Sequence, residues 1–241
     1  MSSWPAEPAA PVVSRLVETT AAAVVLASGA GTRVGAKLNK VYLPLAGRRV
    51  VAWSLDAFKR VPGIGVLVLV IRPQDRALAD EVAGDDVEIV HGGDTRQASE
   101  LNALRHLAPR IAGGRVDAVL LHDAARPLVH PELVDAVLAR TREDGGAVPG
   151  LAADDVVEVD AGHLVAQVPG AIRVQTPQGF RAGPLLEAYE QAEREGFLGT
   201  DTSSCMERFS SLPIRWVPGA PENLKITYPH DLVVAERLLT R

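Results

Sequence analysis

The sequence predicts an α/β domain: a mostly parallel sheet covered by helices, with an inserted β-hairpin arm. Three observations predict it. Runs of strand length that are apolar throughout recur at residues 21–27, 66–71 and 118–121, and a short one at 87–90 is broken only by Glu88; strands covered on both faces read this way, whereas half-exposed strands alternate. Segments with apolar residues at helical spacing stand between those runs, the order expected of parallel strands joined by crossover helices. After Pro149 short apolar stretches flank Ala161-Gly162 instead, which is hairpin patterning.

The elements follow in order. Residues 1–20 are rich in Ala, Pro, Ser and Val and have no charged segment ahead of an apolar one, so they read as a disordered tail rather than a secretory signal. Residues 21–241 form the folded domain. Its first buried strand is 21–27, and Val50, Val51, Leu55 and Phe58 mark a helix. A second strand, 66–71, starts after Pro62-Gly63 and stops before Pro73, and a third, 87–90, stops at Gly92-Gly93. Leu101, Leu104 and Leu107 mark a helix, 118–121 a fourth strand, and 133–139 a helix with Pro131 in its first turn. The hairpin arm spans about 155–168, with Val156, Val157 and Val159 on one side of its turn and Leu164, Val165 and Val168 on the other. It either covers a sheet edge of its own chain or reaches into a partner subunit, since exposed apolar strands invite pairing. Residues 173–175 read as a strand, Leu185, Leu186 and Tyr189 as a helix, 214–217 and 224–227 as late strands, and 232–239 as a closing helix.

Composition narrows the function. With 241 residues, 47% hydrophobic and 23% charged, the chain carries enough apolar material for one sizeable core. A net charge of −5 argues against general nucleic-acid binding. No apolar run approaches bilayer length. The single Cys205 excludes an internal disulfide framework and a Cys-based zinc site, and fits a cytoplasmic protein. It reads as a small buried apolar residue.

The most informative segment is Val24-Val25-Leu26-Ala27-Ser28-Gly29-Ala30-Gly31-Thr32-Arg33, with Lys40 close behind. A buried strand ending in a glycine-rich turn aims several backbone N–H groups at one spot, and such a nest binds anions, phosphate above all. The spacing is wrong for a dinucleotide fingerprint, because the glycine after Gly31 is Gly35, one position late. The second strand ends at Arg72-Pro73 without an acidic residue for an adenine ribose, and no Gly-Lys-Ser/Thr P-loop is present. A plain strand-to-helix turn is the remaining alternative.

Two further motifs follow strands directly. In His122-Asp123-Ala124-Ala125-Arg126-Pro127 the carboxylate stands where a parallel sheet meets its ligand. Asp123 either holds Mg2+, which takes one or two carboxylates plus substrate phosphates, or caps the next turn. In Gly92-Gly93-Asp94-Thr95-Arg96-Gln97-Ala98-Ser99, Asp94 and Ser99 either read the edge of a base or sit in a loop whose Asp94 or Thr95 caps a helix.

Taken with Lys40-Val41-Tyr42-Leu43, Gln175-Thr176-Pro177-Gln178-Gly179-Phe180, Thr200-Asp201 and Asn223-Leu224-Lys225-Ile226-Thr227, these motifs occur in one order over about residues 21–240. The chain resembles the 2-C-methyl-D-erythritol 4-phosphate cytidylyltransferases and their sugar- and polyol-phosphate relatives. The resemblance implies a Rossmann-like nucleotidyltransferase sheet and a reaction in which an acceptor phosphate attacks the α-phosphorus of CTP and pyrophosphate leaves. It implies that Arg33 and Lys40 stabilise charge on the phosphates. The turn formed by Leu26, Ala27, Ser28, Gly29, Ala30, Gly31 and Thr32 would cradle the triphosphate and touch the base. Gly93, Asp94 and Ser99 would read cytosine, Ala124 would approach the ribose, and Asp123 would bind Mg2+. On the acceptor side it implies Lys225 as the orienting cation, with Arg126, Thr176 and Thr200 nearby. Here Thr200 has the alternative of capping the following short helix, with Asp201 in its first turn. A homodimer formed through the arm is also implied.

The chain departs from the family pattern on the acceptor side. Asp154-Asp155-Val156-Val157 stands where the family carries an Asp-Thr pair followed by a Lys, which puts Asp155 in an acceptor-binding position. Val168 stands where it carries an Arg supplied across the dimer. Three readings follow: a methylerythritol-phosphate enzyme in which Arg173 or another cation compensates, a cytidylyltransferase for another acceptor such as ribitol 5-phosphate, or a nucleotide-binding paralogue with little catalysis. The first is the expectation carried forward.

Overall fold

The computed structural model describes residues 19–29 and 38–240. The predicted tail falls outside them except for Thr19 and Thr20, and Thr20 opens the first strand. The elements are β1 (Thr20–Leu26), β2 (Pro44–Leu45), β3 (Arg48–Arg49), α1 (Val50–Lys59), β4 (Ile64–Ile71), α2 (Arg76–Ala83), β5 (Glu88–His91), α3 (Arg96–Ala112), β6 (Val116–Asp123), α4 (Pro131–Asp144) and β7 (Gly146–Ala152). They continue with β8 (Val157–Asp160), β9 (His163–Gln167), β10 (Ile172–Val174), β11 (Gln178–Arg181), α5 (Ala182–Glu195), α6 (Thr202–Phe209), β12 (Ile214–Pro218) and α7 (Pro229–Leu239).

The main sheet runs β10-β7-β11-β6-β1-β4-β5, with β12 also on β7. Its centre is parallel: β1 pairs with both β4 and β6, and β4 with β5. β11 enters antiparallel between β6 and β7, and β10 is antiparallel to β7. The sheet is therefore mostly parallel but mixed. β7 and β11 escaped sequence reading because Gly, Ala and Pro in 146–152 and the short Gln-Gly-Phe-Arg of β11 carry little strand signature.

The continuous apolar strands are explained by two cores. On β1, Ala21, Ala23 and Val25, with Ala27 just beyond it, point to one face, with Leu69 of β4, Leu120 of β6, Phe58 of α1 and Val134 of α4. Ala22, Val24 and Leu26 point to the other, with Val68, Val119, Leu104 of α3, Tyr189 of α5 and Met206 of α6. Helices cover both faces, so neither alternate set can be polar. Cys205 is buried in the second core, as expected of a lone apolar cysteine, and burial pushes its thiol up to about 11.

The arm is a separate two-stranded sheet, β8 against β9. Every residue of both strands is exposed, Leu164 by 75% and Val159 by 57%. The predicted strand at 224–227 does not form. That segment runs along the strand ends, tied by Ile226 N–H to the Ala125 carbonyl at 2.8 Å, with Ile226 buried in a small third core beneath α7. The helix after Thr200 is capped by Asp201 rather than by Thr200: Asp201 accepts from Ser204 N–H, and its longer-reaching carboxylate also takes the Ser203 hydroxyl.

Among the described residues, no helix is long and apolar enough to cross a membrane.

Candidate active site

The carboxyl ends of the parallel strands define the site. Leu26 and Asp123 are register partners, the last residues of β1 and β6. Ser28 and Gly29 lie just beyond β1, Arg72 beyond β4, and Gly92 and Gly93 beyond β5. These ends line a cavity of about 750 Å³. Its wall includes Leu26, Ser28, Gly29 and Lys40 from the first motif, and Gly93, Asp94 and Ser99 from the second. Asp123 and Lys225 complete it. Ala30, Gly31, Thr32 and Arg33 lie outside the described residues.

The loop after β5 owes its path to glycine. A Cβ on Gly92 would lie 2.6 Å from Ser28 Cβ, and one on Gly93 would lie 2.6 Å from Ala98 Cβ. Only a bare backbone lets this loop press against both the β1 turn and α3. The Ser99 hydroxyl holds it there, accepting from Gly93 N–H at 3.1 Å and from the Ser28 hydroxyl at 2.9 Å, and donating to the Thr95 carbonyl at 2.9 Å. Thr95, not Asp94, caps α3, accepting from Ala98 N–H at 3.0 Å. The Asp94 carboxylate is left on the cavity wall.

Asn39 sets the segment that carries Lys40. Its amide donates to the Ala27 carbonyl at 2.8 Å and to Asp75 at 3.1 Å, and Asp75 is clamped in turn by Arg72 at 2.7 Å. Ala27 thus contributes a carbonyl to the scaffold, while its side chain is buried.

Asp123 is the charged centre. Its Oδ2 accepts from Lys225 Nζ at 2.6 Å, and its Oδ1 lies 3.3 Å from Arg96 Nη2. Burial alone would raise this carboxyl, but Arg96 and Lys225 outweigh it and hold the group well below the usual carboxylate range. Behind it runs a hydrogen-bonded chain. Asp123 N–H donates to Thr176 Oγ1 at 3.1 Å, the Thr176 hydroxyl faces His122 Nδ1 at 3.0 Å, and His122 Nε2 faces the Arg126 carbonyl at 3.2 Å. Thr176 therefore donates to Nδ1, and a neutral imidazole donates from Nε2. Burial pushes His122 down to about 4, against the pull of Asp123, in keeping with that neutral form.

Lys225 reaches Asp123 because its segment is pinned on both sides. Asn223 is buried, and its amide donates to the Thr176 carbonyl at 2.9 Å. Its own carbonyl accepts from Arg126 Nη1 at 2.7 Å. With Ile226 turned into the core, Lys225 faces the cavity.

Other expected residues stand elsewhere. Ala124 is fully buried, its N–H on the Leu26 carbonyl, and is off the cavity wall. Arg126 and Thr176 form the layer behind Asp123. Thr200 is exposed and off the wall. Asp155 lies on the approach to the arm, where it forms an ion pair with Arg173.

Sequence reading gave Arg96 and Glu100 no role. Arg96 opens α3 on the cavity wall, with Nη2 3.2 Å from Glu100 as well as 3.3 Å from Asp123. Glu100 is 1% exposed and accepts from the Tyr189 hydroxyl at 2.7 Å and the Thr202 hydroxyl at 3.0 Å. Their spacing of four residues was the available signal, but on one helix it reads as an ordinary surface pair.

The Asp123 carboxylate, beside a cavity lined by cations and amides, suits magnesium carried in on a polyphosphate, which needs few protein ligands. No cluster of three or more acidic, His or Cys groups able to cage a metal occurs among the described residues.

The chain resembles known proteins over most of its length. The family model described as IspD, 2-C-methyl-D-erythritol 4-phosphate cytidylyltransferase, matches residues 21–241. The 2-C-methyl-D-erythritol 4-phosphate cytidylyltransferase of Cereibacter sphaeroides is 41% identical over 226 residues, covering 91% of this chain and 97% of its own. The crystal structure of 4-diphosphocytidyl-2C-methyl-D-erythritol synthase from Anaerococcus prevotii superposes with a TM-score of 0.82 at 26% identity, covering 92% of this chain and 99% of that one. That of the cytidylyltransferase from Thermus thermophilus gives 0.72 at 30% identity, covering 90% and 98%.

Proposed function

The chain belongs to the 2-C-methyl-D-erythritol 4-phosphate cytidylyltransferase family, enzymes that join CTP to methylerythritol phosphate with release of pyrophosphate, and from that premise we propose which of its residues carry the reaction. Attack of one phosphate on another needs no covalent nucleophile from the protein; it needs two anions brought in line and their charge neutralised. The single observation that carries the assignment is the Asp123–Lys225 pair at 2.6 Å on the wall shared with the Gly92–Gly93 loop and Lys40.

Lys40, with Arg33, which lies outside the described residues, meets the negative charge that develops on the α- and leaving phosphates. Gly93, Asp94 and Ser99 form the base-facing wall, and the backbone at Ser28 and Gly29 approaches the phosphates. Asp123 would hold Mg2+, which would supply charge neutralisation on the triphosphate oxygens. Lys225, which donates to Asp123 from the cavity wall, is placed to orient the acceptor phosphate. Thr176 and Arg126 act through Asp123 and the 223–227 segment rather than on substrate.

The Asp155–Arg173 ion pair supports methylerythritol phosphate as the acceptor. The carboxylate that would repel an anionic substrate is neutralised within its own chain. A homodimer through the arm is part of the same reading, because a lone two-stranded hairpin with exposed valines and leucine gains too little burial to hold its shape.

Pyrophosphate release with CTP and each of methylerythritol phosphate, ribitol phosphate, ribulose phosphate or no acceptor tests the assignment. Release with methylerythritol phosphate supports it; release only with another acceptor redirects it, and none at all refutes it.

A further inference from the structure

Glu100 is a buried carboxylate that the reaction as described does not use. Its partners come from every element packed on it: Tyr189 from α5, Thr202 from α6 and Arg96 from its own helix, with Cys205 of α6 and Asp123 of β6 within electrostatic reach. Two hydroxyls and a guanidinium are donors, and nothing facing it must accept, so the acceptor-only ionised form is the one this pocket fits. Burial raises its pKa above the usual carboxylate value and Asp123 adds to the rise, against the pull of Arg96 and the two hydroxyls, so it is the set of donors around it that favours the ionised form. Arg96 Nη2 stands almost equidistant from the two carboxylates, 3.2 Å from Glu100 and 3.3 Å from Asp123. It is directed well enough at neither to make a hydrogen bond. Its attraction to both is therefore electrostatic, and one positive charge is divided between two negative ones.

We propose that Glu100 is a positioning residue for this reaction: by sharing Arg96 with Asp123, it leaves the Asp123 carboxylate with negative charge to offer a divalent cation. Without Glu100, Arg96 and Lys225 would together overbalance Asp123, and a metal would meet a centre of net positive charge. The same carboxylate also ties α6, which follows the Thr200-Asp201 segment, to the helix that opens at the base-facing loop. The inference rests on the reading of Asp123 as the magnesium ligand.

Mn2+ binding to the full-length protein loaded with CTP, followed by electron paramagnetic resonance without acceptor, tests it. Glu100→Gln, nearly isosteric but uncharged, is expected to weaken Mn2+ binding about tenfold. Glu100→Asp, which keeps the charge, is expected to stay within about threefold of the parent. Arg96→Gln has the opposite sign and tightens binding, because the cation facing both carboxylates is gone. A purely structural role would lower the melting temperature of all three and leave Mn2+ affinity unchanged; that result overturns the proposal. Should Glu100→Gln fail to fold, Arg96→Gln decides alone, and unchanged or weaker binding overturns it. Asp123→Asn separates the two readings. If it leaves Mn2+ binding intact, the metal assignment fails and the role of Glu100 with it. If it abolishes binding while Glu100→Gln has no effect, only the role of Glu100 fails.

Discussion

The cavity wall and the hairpin arm are built on opposite principles. Around Asp123, Thr176, His122, Asn223, Arg126 and Lys225 hold one another through bonds of 2.6–3.2 Å, while buried nitrogens of Arg96 and Arg126 keep no hydrogen bond of their own. In the arm the two strands answer only each other, and Val157, Val159, Leu164 and Val165 are all more than 40% exposed. A site that must hold charges before substrate arrives requires rigid support. An arm whose apolar face is bare is complete only when something covers it. The contrast fits the proposed reading, in which the single chain handles the nucleotide and assembly through the arm completes the acceptor side.

The largest break of that comparison comes at its rigid end. Asp123→Asn keeps the shape and the Thr176 contact but removes the charge that faces Lys225 and Arg96; kcat is expected to fall on the order of 10³-fold, measured as pyrophosphate release at saturating CTP. Lys40→Ala is expected to lower kcat about 10²-fold while changing CTP affinity by less than about fivefold, because its charge matters most as the leaving group departs. Single-turnover rates with calorimetric CTP binding check this, and unchanged turnover at saturation removes the role.

The exposed arm is probed by Leu164→Asp. It puts a charge on the bare face of the arm and is expected to leave a monomer at micromolar concentration by sedimentation, with CTP affinity within about twofold and turnover down about tenfold. A parent chain that already sediments as a monomer would break the comparison outright.

The smallest effect concerns stability. His122 is buried neutral, with its pKa depressed from 6.5 to about 4. The unfolded chain takes up this proton first, so the contribution is fully present above about pH 6.5 and is lost as pH falls towards 4. It amounts to about 3 kcal/mol at most. Urea titrations should show declining stability across that window, and His122→Gln should flatten the slope even if it lowers the plateau.

Much of this was legible in the residues. Buried parallel strands announce themselves because both faces are apolar, so β1, β4, β5 and β6 and their carboxyl ends could be placed. The motifs following those strands then fell on one wall. Lys225 was found for a partly mistaken reason: its apolar neighbours suggested a strand, whereas Ile226 is buried and the segment is pinned by Asn223 and Arg126. The antiparallel β10 and β11 insertion was partly hidden because three- and four-residue strands carry too little pattern. Arg96 and Glu100 were hidden because helix spacing does not say which face is buried. Arg173 could be named from the sequence as a compensating cation, but its pairing with Asp155, 18 positions away, is set by the fold.

The most direct measurement is a crystal structure of the protein with CTP and Mg2+. The account predicts the triphosphate in the cavity between Lys40 and Lys225, the metal on Asp123, and the base against Gly93 and Ser99. A nucleotide bound elsewhere, or Asp123 still held by Lys225 and Arg96 with no metal near it, would contradict it.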